Sequence, residues 1–175
     1  KFIGNLKFAE SKLDKKISID KNFYSQFRGR KVWCASSTHA NEELDCAEVH
    51  KNLKNKYKNL LTIIIPRHIH RTEEIIKKIS ELGLNTIKRS SNKKITKKTD
   101  IYLVDTYGET KKFYSISKTV FLGGSLINHG GQNPIEPARL QSTIIHGVYV
   151  NNFKEVYKLL DDNKISYRVK NNYEL

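Results

Sequence analysis

The feature of the sequence that most constrains the fold is an uninterrupted apolar run at residues 60–65, which reads Leu-Leu-Thr-Ile-Ile-Ile and ends at Pro66. β-Branched and aliphatic residues without polar alternation are typical of a strand that is covered on both faces. Strands of that kind belong to parallel sheets, whose neighbouring strands are joined by helices that pack on the two faces. The run therefore predicts that strands and helices alternate along the chain.

Segments on both sides of this run follow that alternation, because strand-length apolar runs are separated by stretches of helical periodicity. Repeated βα units of this size predict the fold class α/β, with a Rossmann-like, doubly wound parallel sheet. We interpret residues 1–175 as a single domain in which residues 1–30 form an irregular or helical lead-in. The predicted strands are residues 31–35, 60–65, 86–87, 101–104, 119–122 and 143–146. The predicted helices are residues 40–57, 73–82, 108–117, 134–140 and 153–161.

The chain is strongly basic, with 32 Lys and Arg against 18 Asp and Glu and a formal net charge of +14. Positive charge attracts phosphates, so a basic nucleic-acid-binding domain is one open interpretation. The excess is mostly Lys and accompanies abundant Asn and Ile, which is the composition of an AT-rich genome. No nucleic-acid motif and no aromatic-studded stacking face is recognisable. We therefore expect the chemistry to come from particular loops.

The cysteines and histidines do not form a metal motif. Cys34 and Cys46 have no partners at metal-ligand spacing and make no CxxC, so we predict two buried thiols in a reducing compartment. His68 and His70 lie close together in sequence, but no carboxylate or cysteine accompanies them. We expect no metal site and no cofactor.

Polar residues gather where the predicted strands end, and in a parallel sheet these ends meet at one edge, where ligands bind. Ser37 and Thr38 follow the first strand, where their hydroxyls either cap a helix or help to bind an anion. Arg67 follows the buried strand, where its guanidinium either forks onto a phosphate or carboxylate or lies on a solvated basic turn. Gly108 allows a close backbone approach, and Glu109 suits the first turn of a helix with or without a ligand.

The strongest local signal is the glycine-rich segment at residues 123–136, which holds two Gly-Gly pairs. Glycines are costly to order, so the segment is predicted to be shaped around something. Asn133 as N-cap, Pro134 at the first helical position and Glu136 at the third form a helix start. Glu136 could instead accept two hydrogen bonds from a ribose diol. Neither GxGxxG nor GxxxxGK[ST] is present, which disfavours dinucleotide and P-loop sites.

These loops, in this order, resemble the C-terminal domain of the 3-deoxy-D-manno-octulosonic acid (Kdo) transferases. The resemblance runs from Gly4 to about Phe153. Ala40 and Asn41 stand where the family has Glu-Gly, Tyr107 where Met is common, and Ile69 and His70 where it has Pro-Glu. The matching pieces are residues 4–8, 35–39 with Glu42 and Glu43, 66–68, 83–84, 89–91, 105–109, 121–126, 130–138 and 152–153.

The resemblance implies the donor-binding half of an inverting GT-B glycosyltransferase that moves Kdo from the nucleotide sugar CMP-Kdo to a lipid A precursor, without a metal. It also implies work at the membrane surface, on the cytoplasmic face of the bacterial inner membrane, and no nucleic-acid partner. The catalytic base of the family belongs to an N-terminal domain, so we expect this chain, which contains no Met, to be part of a longer protein that binds the donor but transfers nothing alone. A donor domain for a UDP-sugar remains an alternative.

The resemblance also assigns site residues, none of them catalytic. Ser37, Thr38, Gly124 and Ser125 are possible further contacts to the donor. The CMP contacts carry over to Pro66, Arg67, Tyr107, Gly108, Glu109, Asn133, Pro134, Ile135 and Glu136.

Overall fold

The structure, a computed structural model, describes residues 20–175. The first matching piece of the family resemblance, residues 4–8, and most of the predicted lead-in lie outside the described residues. The strands are β1 (Lys31–Thr38), β2 (Leu60–Pro66), β3 (Thr86–Lys88), β4 (Ile101–Leu103), β5 (Thr119–Leu122), β6 (Thr143–His146) and β7 (Ser166–Arg168). The helices are α1 (Lys21–Ser25), α2 (Glu42–Lys56), α3 (Thr72–Glu81), α4 (Thr110–Tyr114), α5 (Ile135–Arg139) and α6 (Lys154–Asp162).

The strands form one seven-stranded sheet in the order β3-β4-β2-β1-β5-β6-β7, and every neighbouring pair is parallel. The predicted α/β class with a doubly wound parallel sheet is confirmed. On one side of β1 lie β2, β4 and β3, with β3 at the edge, and the chain then returns to place β5 on the other side. The order of the sheet therefore reverses between β1 and β5, and such a reversal opens a crevice at the carboxyl ends of the two strands.

Helices cover both faces of the sheet, which explains the uninterrupted apolar run of β2. Ile63 packs in the hydrophobic cluster that also holds Phe113 of α4 and Tyr157 of α6. Its neighbour Ile64 packs in the opposite cluster, with Ile75 of α3. Successive residues of a strand point to opposite faces, so a strand covered twice must be apolar throughout. Cys34 and Cys46 are buried free thiols, as predicted.

Two elements differ from their predicted bounds by three residues at one end, and one strand was not predicted. The first strand continues through residues 36–38 instead of ending at residue 35, because it pairs with β2 as far as Thr38. Helix α4 covers half of the predicted span 108–117. Gly108 has a φ of +78°, which is not helical, and Ser117 donates to Tyr114 O at 3.1 Å in a tighter final turn before β5. β7 was not predicted, because an edge strand reading Ser-Tyr-Arg has no apolar run.

Candidate functional site

The loops that follow β1, β2 and β5 are joined by backbone hydrogen bonds at the point where the strand order reverses. The amide of Arg67, just after β2, donates to Thr38 O at the end of β1, at 2.9 Å. The amide of Gly123, just after β5, donates to Ser36 O at 2.8 Å. A side chain on Gly123 would meet Ser37 O and the Thr38 Cα at 2.6 Å, so only glycine fits there. The predicted site loops thus share one edge of the sheet.

Glu42, the first residue of α2, organises the glycine-rich segment. Its carboxylate is fully buried and accepts hydrogen bonds from four backbone amides. Glu42 Oε2 accepts from His39 at 2.9 Å and from Gly124 at 2.7 Å. Glu42 Oε1 accepts from Ser125 at 3.2 Å and from Leu126 at 3.1 Å. The segment is therefore shaped around a carboxylate of its own chain.

Gly124 and Ser125, which the resemblance gives as possible donor contacts, are engaged within the chain. Their amides already donate to Glu42, and Gly124 O accepts from the Gly131 amide at 2.8 Å. Ser125 is fully buried, and its hydroxyl donates to Leu122 O and accepts from the Gly147 amide at 2.8 Å. Both residues therefore shape the loop, with their polar groups directed inward.

Ser37 and Thr38 lie at the end of β1 and do not cap the following helix. The N-cap of α2 is Asn41, and its side chain makes no capping hydrogen bond. Ser37 has a φ of +54°, an unusual conformation for a residue other than glycine. The Thr38 hydroxyl is buried without a hydrogen-bond partner. Their position at the crevice agrees with the prediction, but the Thr38 hydroxyl is not open to solvent.

Arg67 presents an exposed side chain at this edge, beside Pro66, which is buried as the last residue of β2. Within residues 20–175, no carboxylate pairs with the Arg67 guanidinium. Arg71, one turn further on, is instead held by Glu43, with its Nη1 at 2.8 Å from Glu43 Oε1. Of these two arginines, Arg67 is therefore the one available to an anion.

Three imidazoles surround the end of β1, and we call His39, His68 and His129 the histidine cluster. The His39 ring centroid lies 4.1 Å from that of His129 and 5.6 Å from that of His68. Burial, followed by the nearby positive groups of His129, His68, Arg67 and Arg71, lowers the pKa of His39 to about 4. The prediction missed this cluster, although each of its residues belongs to a loop that begins at a strand end.

The loop at residues 105–109 is fixed by its own side chains. Asp105 Oδ1 accepts from the Ser90 amide at 2.8 Å. The Arg89 guanidinium donates a hydrogen bond to each carboxylate oxygen of Glu109, both at 3.1 Å. Burial acts to raise the pKa of Glu109, but hydrogen bonds from Arg89, Thr106 and Lys112 lower it to about 2. The predicted Tyr107, 77% exposed, and Gly108, with open space where a Cβ would lie, form the accessible tip.

Residues 133–136 start α5, one position later than predicted. The N-cap is Pro134 rather than Asn133, but the Asn133 side chain still accepts from the Ile135 amide at 3.0 Å. The Glu136 carboxylate lies 3.5 Å from Lys111 Nζ of α4, and its side chain is 41% exposed. This ion pair joins α5 to the helix that follows the 105–109 loop. The helices that follow these two predicted loops are thus neighbours.

The described part of the chain has neither grouped metal ligands nor a membrane-spanning helix. Among residues 20–175, no three His, Cys, Asp or Glu side chains are grouped as ligands for a metal ion. Over the same residues, no helix combines the length and the apolar character needed to cross a bilayer.

The chain resembles several known proteins, although no protein-family model matches it. It is 40% identical over 174 residues to a bifunctional glycosyltransferase/methyltransferase of Fusobacterium nucleatum, and this match covers 97% of the chain and 26% of that protein. It is 34% identical over 160 residues to the 3-deoxy-D-manno-octulosonic acid transferase of Haemophilus influenzae, with 90% of the chain and 37% of that protein covered. The chain therefore spans between a quarter and two fifths of these relatives.

A solved structure covers the domain more completely. The crystal structure of the C-terminal CMP-Kdo binding domain of WaaA from Acinetobacter baumannii matches with a TM-score of 0.81 and 30% identity, over 86% of this chain and 80% of that one. The parallel sheet and its loops at the β1–β5 crevice define a Rossmann-like C-terminal domain of a GT-B glycosyltransferase. The chain belongs to the Kdo transferase family and corresponds to its C-terminal domain.

Proposed function

We propose that this domain binds CMP-Kdo at the carboxyl edge of its sheet, and that the full-length protein transfers Kdo from it to a lipid A precursor. The observation that carries the proposal is the likeness to the Acinetobacter CMP-Kdo binding domain, which combines a TM-score of 0.81 with 30% identity. The crevice between β1 and β5 supports it, because nucleotide ligands bind at such reversals of strand order. Acceptor recognition at the cytoplasmic face of the inner membrane is part of the proposal for the full-length protein.

The residues at this edge suit the parts of a nucleotide sugar. The Arg67 guanidinium has no carboxylate partner among the described residues, so it can form charge-assisted hydrogen bonds to the phosphate. The open backbone at Gly108 suits close approach of the nucleotide. Glu136 has exposed carboxylate surface and can accept hydrogen bonds from the ribose hydroxyls, in which case Lys111 shares it. Pro66, Tyr107, Asn133, Pro134 and Ile135 would complete the CMP contacts.

Glu109 has a different role in this proposal, since its carboxylate is already held by Arg89, Thr106 and Lys112. It fixes the backbone of the 105–109 loop so that Tyr107 and Gly108 are presented in one conformation. Preorganised loops bind more tightly because less conformational entropy is lost on binding.

We infer that donor binding depends on Arg67 and not on a metal ion. A guanidinium can offset phosphate charge as a divalent cation does in other nucleotide sites. Affinity for CMP should then be the same with EDTA as with added Mg²⁺. A loss of binding in EDTA would contradict this part of the proposal.

Isothermal titration calorimetry with CMP tests the site. We expect Arg67→Ala and Glu136→Ala each to weaken CMP binding by about tenfold or more, which corresponds to the loss of one strong charged hydrogen bond. Arg168→Ala is the control for the arginine, because Arg168 is an exposed residue of the edge strand β7. Glu155→Ala is the control for the acid, because Glu155 occupies the first turn of α6 as Glu136 does in α5.

Normal CMP binding by both Arg67→Ala and Glu136→Ala would overturn the site assignment. UDP, titrated in parallel, should bind more weakly than CMP. Tighter binding of UDP would favour a UDP-sugar donor and overturn the assignment to CMP-Kdo.

A further inference from the structure

The histidine cluster brings together titratable groups from three separate loops. His39 follows β1, His68 follows β2, and His129 lies in the glycine-rich segment after β5. His39 is buried with 8% of its surface exposed, while the other two rings are exposed beside it. A Cβ on Gly124 would lie 3.3 Å from His39 Nε2 and 3.2 Å from His129 Cδ2, so the absence of a side chain at Gly124 lets the two rings approach each other.

The inner face of the cluster contains polar atoms without partners. Among the described residues, neither His39 Nε2 nor the neighbouring Thr38 hydroxyl has a hydrogen-bond partner, and both atoms are buried. A buried polar group without a partner costs about 1–3 kcal/mol. The unpartnered Nε2 of His39, beside the exposed ring of His129 at the reversal of strand order, points to a ligand group that would satisfy it.

The charged groups around His39 leave a positive field with no free acid. Arg67 and Arg71 follow β2 and add positive charge. From α2, the Glu42 carboxylate is engaged by four backbone amides, one of them His39's own, and Glu43 is paired with Arg71. A proton on His39 would add to this positive charge in the absence of a ligand. A bound anion would offset this positive charge and would therefore favour the protonated imidazole.

We propose that the histidine cluster, with Arg67, is the subsite for the carboxylate of the acidic donor sugar, and that it takes up a proton when that carboxylate binds. The proposal rests on the function proposed above, because Kdo is an acid. One imidazole of the cluster becomes a cation and donates a charge-assisted hydrogen bond to the carboxylate. The affinity for CMP-Kdo then increases as the pH falls, because an added proton is part of the complex.

The experiment is calorimetry of CMP-Kdo binding between pH 8 and pH 6, in two buffers of different ionisation enthalpy. The phosphate of CMP-Kdo is a diester and the sugar carboxylate is ionised throughout this range, so proton uptake reports on the protein. We expect about 0.3–0.5 proton taken up per ligand, and therefore a four- to tenfold gain in affinity over these two pH units.

Three variants assign the effect. His39→Gln and His129→Gln should abolish or halve the proton uptake, because glutamine donates a hydrogen bond but cannot take up a proton. His129 is exposed, so its variant tests the cluster even if the buried His39→Gln fails to fold. His70→Gln is the matched control, because the His70 ring is exposed and contacts His68 at 5.6 Å. It should take up protons as the unmodified domain does.

The outcomes separate this inference from the proposed function. CMP-Kdo binding without proton uptake, or uptake that is unchanged in His129→Gln, would overturn the carboxylate subsite while leaving donor binding intact. Failure to bind either CMP or CMP-Kdo would overturn the proposed function and this inference with it. Uptake that disappears equally in His70→Gln would also overturn the assignment to the cluster.

Discussion

Glu42 Oε2 lies 2.7 Å from the amide nitrogen of Gly124, and this hydrogen bond joins the first residue of α2 to the loop that follows β5. The Glu42 side chain is fully buried, so its charge is balanced by backbone amides rather than by water. The two strands at the reversal of strand order, β1 and β5, therefore end in loops that share one carboxylate. The edge of the sheet that carries the candidate site is held by an internal anion.

Replacing that anion should destabilise the domain. In Glu42→Gln, the amide nitrogen faces backbone N–H donors, so buried donors are left without acceptors, and we expect a loss of about 3 kcal/mol in the free energy of unfolding. Urea denaturation followed by circular dichroism measures it. Glu81→Gln, an exposed acid at the end of α3, should change stability by less than about 0.5 kcal/mol. Equal unfolding midpoints for the two variants would contradict the role given to Glu42.

Gly123 should tolerate no side chain. A Cβ there would lie 2.6 Å from Ser37 O and from the Thr38 Cα, and these backbone atoms cannot rotate away. We expect Gly123→Ala to lower the free energy of unfolding by more than about 2 kcal/mol. Gly83→Ala provides the comparison, because Gly83 has a φ of +77° but open space around it, and only the conformational cost of about 1 kcal/mol applies. Similar losses of unfolding free energy in the two variants would contradict the conclusion that the close contact with β1 excludes a side chain at Gly123.

Arg89 should influence the nucleotide site through Glu109. Arg89→Ala removes two hydrogen bonds of 3.1 Å to that carboxylate, which frees the 105–109 loop, so we expect CMP binding to weaken about three- to tenfold. The pKa of Glu109, now about 2, should rise. Arg28→Ala, at an exposed position, is the control for calorimetry.

The Arg89→Ala variant should also change how the stability of the domain depends on pH in acid. A carboxyl whose pKa is lowered on folding stabilises the folded state above its unfolded pKa of about 4.3, and this stabilisation is lost as the pH falls towards about 2. Stability in Arg89→Ala should therefore decline less steeply over that range than in the unmodified domain. An equal decline would contradict the pairing of Arg89 with Glu109.

His50 should make the stability of the domain depend on pH over a higher pH range than Glu109 does. Its Nδ1 lies 2.8 Å from the Thr62 hydroxyl, and burial lowers its pKa from about 6.5 to about 4, although Asp100 opposes the shift. A histidine with a lowered pKa stabilises the folded state while neutral, so this contribution is complete above about pH 6.5 and is lost as the pH falls to about 4. Urea midpoints at pH 7 and pH 5 should differ less in His50→Gln than in His70→Gln. Identical differences would contradict a neutral buried His50.

Much of the fold follows from the sequence, because strands that are buried on both faces consist of apolar runs that are easily recognised. β5 and β6 were predicted with their observed bounds, and β2 to within one residue. β7 was not predicted, since Tyr167 and Arg168 at the edge of the sheet are exposed and carry no apolar pattern. The end of β1 was misplaced for a related reason. Ser36 and Thr38 resemble capping residues in sequence, but the neighbouring strands bury them.

The sequence predicts where the candidate site lies better than it predicts the contacts between the residues of that site. The strand ends located Arg67, Gly108 and Glu136 at one edge, because parallel strands bring their carboxyl ends together. The partner of the glycine-rich segment was not predictable, because an acid in the first turn of a helix, such as Glu42, looks like ordinary helix stabilisation. Only the packing of α2 against the loop shows that its carboxylate is buried.

The central position of β1 has a consequence for how the chain is made. Synthesis delivers β1 and β2 early, but β5, the other neighbour of β1, follows only after α3, β3, β4 and α4 have been added. Until then β1 is the open edge of a half-built sheet, and unpaired strand edges invite association with other chains. The interval in which a nascent chain is most exposed to misassembly therefore ends when residues 119–122 leave the ribosome and pair with β1.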